Sequence, residues 1–215
     1  TRGNMRSDGA PYEVAVARAR EIAAGSPTDE NEVDSLNLVP EKYRGLDRFE
    51  ARKLVVADIT RAWNRASEFL IYVVDELNLA GIPDKDIYIV FAQGTHRPHT
   101  DEENITCVGE EVARRITMYQ HISTDKSQQT YLGKTTLGTE VWIDKRVVDA
   151  DKVILINAVS THDMAGFGGG RKLILPGVAG FDTVQQNHCH ALGATLGSGL
   201  NPDAKLLKIE GNPVS

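Results

Sequence analysis

Three short apolar runs, each followed by polar residues, place the strongest constraint on the fold of this 215-residue chain. Residues 53–60, 86–92 and 152–159 have the length and the β-branched content of buried strands. An amphipathic segment at residues 66–79 separates the first two runs and predicts a helix. Because strands that alternate with helices pair in parallel, the pattern predicts an α/β fold with a mostly parallel sheet and flanking helices.

The second half of the chain predicts further helices and a β-hairpin. Thr100 and Glu103 have the spacing of a capping box, which marks the start of a helix. Apolar residues then recur at helical intervals and predict one apolar helix face: Ile105, Val108, Val112 and Ile116. Residues 130–148 alternate in polarity and contain glycines, which favours an inserted hairpin. Residues 181–192 predict the last helix.

Composition and charge exclude several classes of protein. Hydrophobic residues make up 41% of the chain and charged residues 25%, which is typical of a globular protein. The net charge of −6 argues against a nucleic-acid partner, because nucleic-acid binding needs a basic face. No apolar run reaches the ~18 to 20 residues of a membrane span, and the start of the chain lacks the apolar core of a secretory signal. Two distant cysteines, Cys107 and Cys189, fit a reducing compartment, so a cytoplasmic protein is predicted.

A glycine-rich segment at residues 166–172 is the strongest candidate for a ligand site. Its central glycines free the backbone to close tightly around a ligand: Gly168, Gly169 and Gly170. Arg171 and Lys172 add positive charge that suits phosphate. The spacing is neither that of a Walker loop nor that of a dinucleotide fingerprint. A flexible turn before a helix is the alternative interpretation, but the adjoining arginine and lysine favour an anion-binding backbone.

Charged and histidine side chains follow the predicted strands. Asp58 and Arg61 follow the first strand, His96 follows the second, and His162 follows a later one. Because ligands bind beyond the carboxyl ends of strands in open α/β sheets, we expect these side chains to meet in one crevice. The two histidines can serve as matched acid and base, since imidazole titrates near neutral pH. Arg61 can hold a carboxylate through two hydrogen bonds while Asp58 orients a histidine.

Each of these residues also has a purely structural interpretation. Either histidine can be a loop residue that bonds a nearby carbonyl, and Asp58 can be a helix N-cap beside a surface arginine. His188 and His190 lie two residues apart on a predicted helix, so they point to different sides and do not share a helical metal site. One of them can still ligate a metal that other groups hold. Cys189 is interpreted as a packed thiol.

Together these motifs resemble the nickel-pincer-nucleotide-dependent lactate racemases and their 2-hydroxyacid racemase and epimerase relatives. The resemblance rests on four short motifs: Asp58-Ile59-Thr60-Arg61, Gly94-Thr95-His96-Arg97, His162 with the glycine-rich segment, and Asn187-His188. It extends from about residue 55 to the last residue. It implies an isomerase that acts on a small 2-hydroxyacid by reversible hydride transfer to the nickel-pincer cofactor, through a 2-oxoacid intermediate.

The resemblance implies roles on the substrate side of the site. His96 and His162 correspond to the paired acid/base histidines of the family. Arg61 corresponds to the arginine that binds the substrate carboxylate, and Asp58 lies beside His96. Two histidines are needed because the two enantiomers present their hydroxyl groups on different sides.

The resemblance also implies roles on the cofactor side. Lys172 corresponds to the lysine that joins the cofactor covalently through a thioamide. His188 corresponds to the protein ligand of nickel, whose other donors are sulfur and carbon atoms of the pincer. Arg171 and the central glycines correspond to residues beside the cofactor phosphate.

Residues 1–215 are therefore predicted to form an N-terminal catalytic domain. Its first part, residues 1–50, is a lead-in segment where the resemblance is weak, with a helix predicted at residues 9–24 and a polar loop at residues 26–36. The family's C-terminal domain closes over the site and is expected to lie outside this chain, so the chain alone is expected to lack full activity. The residues themselves leave two other functions open: a phosphate-ligand-binding transferase or hydrolase, and a non-catalytic module that binds a metal or a nucleotide.

Overall fold

A four-stranded parallel sheet organises the part of the chain that the computed structural model describes, residues 52–195 and 197–215. The strands of this part are β1 (Arg52–Ala57), β2 (Ile87–Ala92), β3 (Thr117–Gln120), β4 (Gln129–Lys134), β5 (Glu140–Asp144), β6 (Lys152–Ile156), β7 (Ser160–His162) and β8 (Gly166–Gly168). The main sheet has the order β3-β2-β1-β6 and all its neighbours are parallel. The pairs β4–β5 and β7–β8 are antiparallel hairpins.

Helices cover both faces of this sheet. They are α1 (Leu70–Leu79), α2 (Asp101–Val108), α3 (Glu110–Arg115), α4 (Lys145–Val148) and α5 (Phe181–Cys189). The first three pack on one apolar core, and the last two contribute to a second core on the opposite face. The predicted α/β fold, with a mostly parallel sheet, flanking helices and a hairpin insertion, is confirmed.

Alternate residues of the strands supply the two cores. Leu54 and Val56 of β1 belong to the core beneath α1, α2 and α3, whereas Val55 and Ala57 belong to the core beneath α4 and α5. This division follows from strand geometry, since successive side chains point to opposite faces. A strand covered on both faces reads as a continuous apolar run, and this explains why the sequence identified β1, β2 and β6 so directly.

The first predicted strand and helix are both shorter than expected. The strand ends at Ala57, because the chain turns at Asp58 into a 3₁₀ segment, Ile59–Asn64. Arg65 then has a left-handed φ of 59° and ends that segment. A second 3₁₀ segment precedes α1, which starts only at Leu70. These turns keep Asp58 and the residues after it at the carboxyl edge of the sheet.

The prediction of one apolar helix face over residues 105–116 is wrong in part. Gly109, with φ of 88°, separates α2 from α3 and redirects the chain. Ile105 is consequently 40% exposed, although Val112 is buried as predicted. The capping box of Thr100 and Glu103 is confirmed at the start of α2.

Other differences concern short elements. The strand β3 and the β7–β8 hairpin are not predicted by the sequence, because neither contains a long apolar run. The last predicted helix ends at Cys189, three residues early. The helix predicted at residues 9–24, the loop at residues 26–36 and the whole lead-in segment lie outside the described residues. Within the described residues, no helix has both the length and the apolar character needed to cross a membrane.

Candidate active site

A cavity of about 420 Å³ lies at the carboxyl ends of β1, β2 and β6. Of the ten site residues predicted from the sequence, eight line this cavity: Asp58, Arg61, His96, His162, Gly168, Gly169, Lys172 and His188. In the main sheet β1 lies between β2 and β6, so the order of the strands reverses here. Open α/β sheets bind ligands at such a point, outside the carboxyl ends of the strands.

His96 and Asp58 form a hydrogen-bonded pair in the cavity wall. The distance from His96 Nδ1 to Asp58 Oδ2 is 2.5 Å, and Thr60 Oγ1 donates to Asp58 Oδ1 at 2.7 Å. Asp58 is buried, whereas the side chain of His96 is half exposed. Asp58 occupies the N-cap position of the 3₁₀ segment, as the structural interpretation expects, but its side chain makes no capping bond. The carboxylate instead fixes the ring of His96 and leaves Nε2 available.

Thr60 also connects this pair to Arg61. Arg61 Nη1 donates to Thr60 Oγ1 at 2.9 Å, and the exposed guanidinium lines the cavity. This bond engages one terminal nitrogen, so further donors remain for a ligand. A planar guanidinium in this position is suited to a carboxylate.

His162 ends β7, and the turn to β8 wraps around its ring. Its Nδ1 accepts the backbone N–H of Met164 at 3.3 Å and that of Ala165 at 3.2 Å. Asp163 Oδ1 lies 2.9 Å from the same nitrogen, although the Asp163 side chain is 85% exposed. Burial, followed by the positive charge of Lys172, lowers the pKa of His162, which favours the neutral ring.

Gly169 shows why the segment after His162 requires glycine. It has φ of 84°, and a Cβ at this position would meet the carbonyl oxygen of Ala158 at 2.5 Å. A Cβ at Gly166 would lie even closer to the backbone of Lys208. The segment forms β8 and a 3₁₀ turn, Gly170–Leu173, so it is not the irregular flexible turn of the alternative interpretation.

Lys172 carries the most perturbed amine of the cavity. Its Nζ is fully buried and has no hydrogen-bond partner in the described part of the chain. Burial, assisted by the neighbouring charge of Arg171, lowers the pKa of Lys172 to about 8. Buried polar atoms without a partner are rare because they destabilise the fold, so this amine points to a bound group. It is also partly neutral near physiological pH and therefore nucleophilic.

His188 brings a third imidazole to the cavity from α5. Burial, and then the charges of Lys172 and His162, lower the pKa of His188, which favours the neutral form that ligates metals. His190 instead contacts Thr139 Oγ1 through Nε2 at 2.8 Å, so the two histidines point to different sides as predicted. Among the described residues there is no group of three or more His, Cys, Asp or Glu side chains that could hold a metal.

Two predicted site residues lie outside the cavity wall. The exposed Arg171 donates to the hydroxyl of Ser215, and Gly170 begins the 3₁₀ turn. Their role beside a phosphate stays a prediction. The thiol of Cys189 is exposed, so the interpretation of this cysteine as a packed thiol is wrong.

Gln93 is a cavity residue that sequence analysis missed. It is 1% exposed and follows β2 directly. Its Nε2 donates to Gln120 Oε1 at 2.8 Å, whereas its own Oε1 lacks a partner within the described residues. Its position after a buried strand and before Gly94 is the signal that could have identified it.

A second imidazole–carboxylate pair lies outside the cavity wall. His121 Nδ1 is 3.0 Å from Asp144 Oδ2, and its Nε2 is 2.9 Å from the carbonyl oxygen of Ala179. Arg146 contacts the same carboxylate at 2.5 Å. His121 and Asp144 are almost completely buried, at 1% and 0% exposure of their side chains. Since both ring nitrogens are engaged, this pair joins neighbouring segments and offers no free nitrogen to a ligand.

The fold and the cavity define an α/β protein with imidazoles, a guanidinium and a buried amine at the carboxyl edge of its sheet. Residues 39–198 match the family described as the lactate racemase N-terminal domain. The chain belongs to this family, and the resemblance inferred from the motifs is confirmed.

Two lactate racemases are among the similar proteins. The one from Lactiplantibacillus plantarum is 39% identical over 106 residues, which cover 49% of this chain and 25% of that protein. The one from Thermoanaerobacterium thermosaccharolyticum is 31% identical over 129 residues, which cover 60% of this chain and 29% of that protein. The matched segments thus span less than a third of the length of these relatives.

A solved structure agrees with the fold. The lactate racemase apoprotein from Thermoanaerobacterium thermosaccharolyticum superposes with a TM-score of 0.66 at 27% sequence identity, covering 77% of this chain and 38% of that chain. A 60-residue segment is also 57% identical to a valine–tRNA ligase from Ruegeria pomeroyi. That match covers 28% of this chain but 6% of the ligase, and it carries no functional argument.

Proposed function

We propose that this chain is the N-terminal catalytic domain of a racemase or epimerase that acts on a small 2-hydroxyacid. The observation that carries the proposal is the shared cavity, in which His96, His162, Arg61 and Lys172 meet at the carboxyl edge of the sheet. Membership of the lactate racemase N-terminal domain family supports the same class of reaction. Because the matched segments cover 25% and 29% of the racemases, we propose that further substrate contacts come from a C-terminal domain.

The residues present fit a nickel-pincer nucleotide. The buried Nζ of Lys172 lacks a partner in the described residues, as expected of an amine that becomes a thioamide nitrogen on attachment of a cofactor. His188 offers one imidazole in the same cavity, which suits a metal whose other donors belong to the cofactor. Gly169 allows close approach of the backbone. When bound, the cofactor supplies nickel and a carbon atom that accepts and returns the Cα hydride of the substrate.

The chain's own residues bind and orient the substrate. Arg61 holds the carboxylate of the 2-hydroxyacid through its free guanidinium donors. The hydroxyl group then lies between His96 and His162, whose rings both line the cavity. Asp58, itself bonded to Thr60, keeps the ring of His96 in place.

The two histidines remove and return the proton of the substrate hydroxyl group. Removal of this proton together with the Cα hydride converts the 2-hydroxyacid to a planar 2-oxoacid, and their return to the opposite face gives the other enantiomer. His96 Nε2 is free to take the proton, because Asp58 engages Nδ1. Imidazole is the side chain that most often transfers such a proton in enzymes. At His162, burial and the positive charge of Lys172 lower the pKa, which favours the neutral ring.

Mass spectrometry of the complete protein, made together with the cofactor-synthesising enzymes, tests the proposal. We expect a covalent adduct on Lys172, bound nickel, and interconversion of the enantiomers of a 2-hydroxyacid. Lys172→Ala removes the buried amine and is expected to abolish cofactor retention. Lys85→Ala is the matched control, because Lys85 is an exposed lysine just before β2, at the opposite end of the sheet. An unmodified Lys172 in an active enzyme would refute its assignment.

The alternative, a transferase or hydrolase with a phosphate ligand, receives less support from the geometry. That function would need Arg171 to donate hydrogen bonds to the phosphate. The guanidinium of Arg171 instead bonds Ser215 and lies outside the cavity wall. Reversible nucleotide binding without an adduct on Lys172 is the result that would favour it.

A further inference from the structure

We propose that His99 is a positioning residue for the pair formed by Asp58 and His96. His99 is buried, at 7% exposure, and lies outside the cavity wall. Its ring joins the loop after β2, which carries His96, to the turn after β1, which carries Asp58. The proposal rests on the proposed function, because a reaction that uses His96 and Asp58 together requires the loop and the turn to keep a fixed distance.

The bond that carries the proposal joins Ile59 to His99. The backbone N–H of Ile59 donates to His99 Nε2 at 3.0 Å. This N–H belongs to the peptide group between Asp58 and Ile59, so the bond fixes the backbone directly beside the Asp58 side chain. The first N–H groups of a helical segment lack acceptors within it, and the Asp58 side chain makes no capping bond. His99 supplies an acceptor instead, while the Asp58 carboxylate bonds His96.

The ring of His99 is held in the orientation that this bond needs. Its Nδ1 lies 3.1 Å from Asn104 Oδ1, in α2. A backbone N–H can only donate and an amide oxygen can only accept, so Nε2 holds the lone pair and Nδ1 holds the proton. The ring also packs edge-to-face on Phe91 of β2, with ring centroids 4.9 Å apart. The acceptor is therefore oriented toward Ile59 by contacts on its other sides.

Gln120 fixes the backbone of His99. Its Oε1 accepts the His99 N–H at 2.5 Å, and its Nε2 donates to the His99 carbonyl oxygen at 3.1 Å. Gln120 is the last residue of β3, so these two bonds anchor the loop after β2 to the neighbouring strand. His99 thus connects the carboxyl ends of β1, β2 and β3 through polar contacts.

The loop and the turn are joined at two points. His96 Nδ1 contacts Asp58 Oδ2 at the cavity, where the side chain of His96 is half exposed. Three residues further along the loop, His99 accepts the Ile59 N–H inside the protein. The Thr60 hydroxyl also bonds the Asp58 carboxylate, but it belongs to the same turn and cannot hold that turn against the loop. The His99 bond is therefore the contact that fixes their relative position without taking part in the reaction.

Arg61 belongs to the same turn. Its backbone N–H donates to the carbonyl oxygen of Asp58 at 2.9 Å, and its side chain lines the cavity. A displaced turn would consequently move the proposed carboxylate-binding group together with the partner of His96. Loss of the Ile59–His99 bond should affect substrate binding and proton transfer at the same time.

Steady-state kinetics of the complete, cofactor-loaded protein test this role. His99→Leu removes the acceptor and leaves an apolar side chain in the buried site. We expect kcat to fall by about 10- to 100-fold, because a misplacement of about 1 Å can reduce a rate by that order. We also expect KM for the 2-hydroxyacid to rise, because Arg61 moves with the turn. A lower fraction of folded protein would reduce the apparent kcat and leave KM unchanged, so an unchanged KM in His99→Leu overturns the proposal.

His121→Leu is the matched control. It removes a second buried imidazole, which lies outside the cavity wall and has both ring nitrogens engaged. We expect this variant to lose stability and to keep the wild-type KM. His99→Gln is the conservative variant, because its amide oxygen can accept the Ile59 N–H, and we expect it to recover most of the wild-type KM. An equal rise of KM in His121→Leu, or no recovery in His99→Gln, overturns the proposal.

NMR of the complete protein labelled with nitrogen-15 tests the bond without turnover. A hydrogen bond between two nitrogen atoms transmits a scalar coupling, which we expect between the Ile59 amide and His99 Nε2 in the wild-type protein. The Ile59 N–H should exchange with solvent faster in His99→Leu and at the wild-type rate in His121→Leu. Absence of the coupling, or wild-type exchange of Ile59 in His99→Leu, overturns the proposal.

The coupling is measured in the wild-type protein, so it decides whether the bond exists even where His99→Leu does not fold. The two proposals also fail in different ways. Failure of the proposed function would appear as absence of racemase turnover with the coupling intact. Failure of the positioning role would appear as a wild-type KM in an active His99→Leu.

Discussion

The molecule contains two histidine–aspartate pairs that lie in different surroundings. The His96–Asp58 pair lines the cavity, and the side chain of His96 is 50% exposed. The His121–Asp144 pair is almost fully buried, and a backbone carbonyl occupies its remaining ring nitrogen. The same two residue types therefore supply a reactive nitrogen in one place and a structural crosslink in the other. The deciding feature is whether Nε2 has a partner.

The comparison predicts that removing the two pairs affects different properties of the protein. Loss of the cavity pair should affect turnover, since an exposed imidazole contributes little to folding. Loss of the buried pair should affect folding, because an uncompensated buried group remains. The following experiments test this separation in order of decreasing effect.

The largest effect is expected for His96→Ala in the complete, cofactor-loaded protein. Turnover should fall by roughly 10²- to 10⁴-fold, the usual contribution of a general acid or base. The free energy of unfolding should change by only about 1 kcal/mol, because the half-exposed side chain contributes little packing and Thr60 still donates to the buried Asp58 carboxylate. Enantiomer interconversion and urea denaturation of the same preparation measure the two quantities. Wild-type turnover in this variant would remove His96 from the mechanism.

The next effect is expected for His121→Ala. This substitution deletes a fully buried side chain and leaves the Asp144 carboxylate with Arg146 alone. The free energy of unfolding should decrease by about 3 kcal/mol, near the lower end of the range for a broken buried ion pair. Urea denaturation beside His96→Ala provides the contrast. An equal loss of stability in both variants would contradict the proposed division between the pairs.

A smaller effect concerns the pH dependence of stability. The pKa of Lys172 is lowered to about 8 in the folded chain from an ordinary value of 10.5, so the unfolded chain binds more protons between these values. The free energy of unfolding should therefore rise as pH increases from about 8 to 10. Lys172→Met should reduce this slope, whereas Lys85→Met at an exposed site should retain it. Denaturation across that pH range gives the comparison, and identical slopes in the two variants would exclude a perturbed Lys172.

The smallest effect compares two glycines with left-handed backbone conformations. Gly169→Ala introduces a Cβ against the carbonyl oxygen of Ala158, while Gly133→Ala introduces one where no atom lies within 4 Å. Both substitutions carry a conformational cost of about 1 kcal/mol, and Gly169→Ala should exceed Gly133→Ala by about 1 to 2 kcal/mol. Thermal denaturation measures the difference. Equal destabilisation would mean that the backbone at Ala158 can move away from the new Cβ at Gly169.

The sequence predicted the central sheet well, for a simple reason. Strands β1, β2 and β6 are covered on both faces, so each reads as a continuous apolar run that needs no tertiary information. The strand β3 has a partly exposed, mixed sequence and gave no such signal. The break at Gly109 was missed because helical periodicity continues through it, and only the packing of Ile105 shows that the chain has turned.

The contributors to the candidate site were also accessible from the sequence, since polar residues that follow buried strands collect at one edge of a parallel sheet. Gln93 was missed, although it occupies the same kind of position after β2. The sequence predicted that Arg171 and Lys172 would act together in one anion-binding segment. Adjacent residues leave a 3₁₀ turn in different directions, and the structure sends Arg171 to Ser215 and Lys172 into the cavity.

The sequence by itself determined the α/β architecture and the residue types gathered at its carboxyl edge, because both follow from local apolar runs and the polar residues that end them. Only the tertiary structure decided which histidine keeps a free nitrogen, which one has both nitrogens engaged, and which amine is buried without a partner. Those properties depend on contacts between residues such as Asp58 and His96, or His121 and Ala179, which lie 38 and 58 positions apart. Such contacts form only when the sheet and its connections are in place.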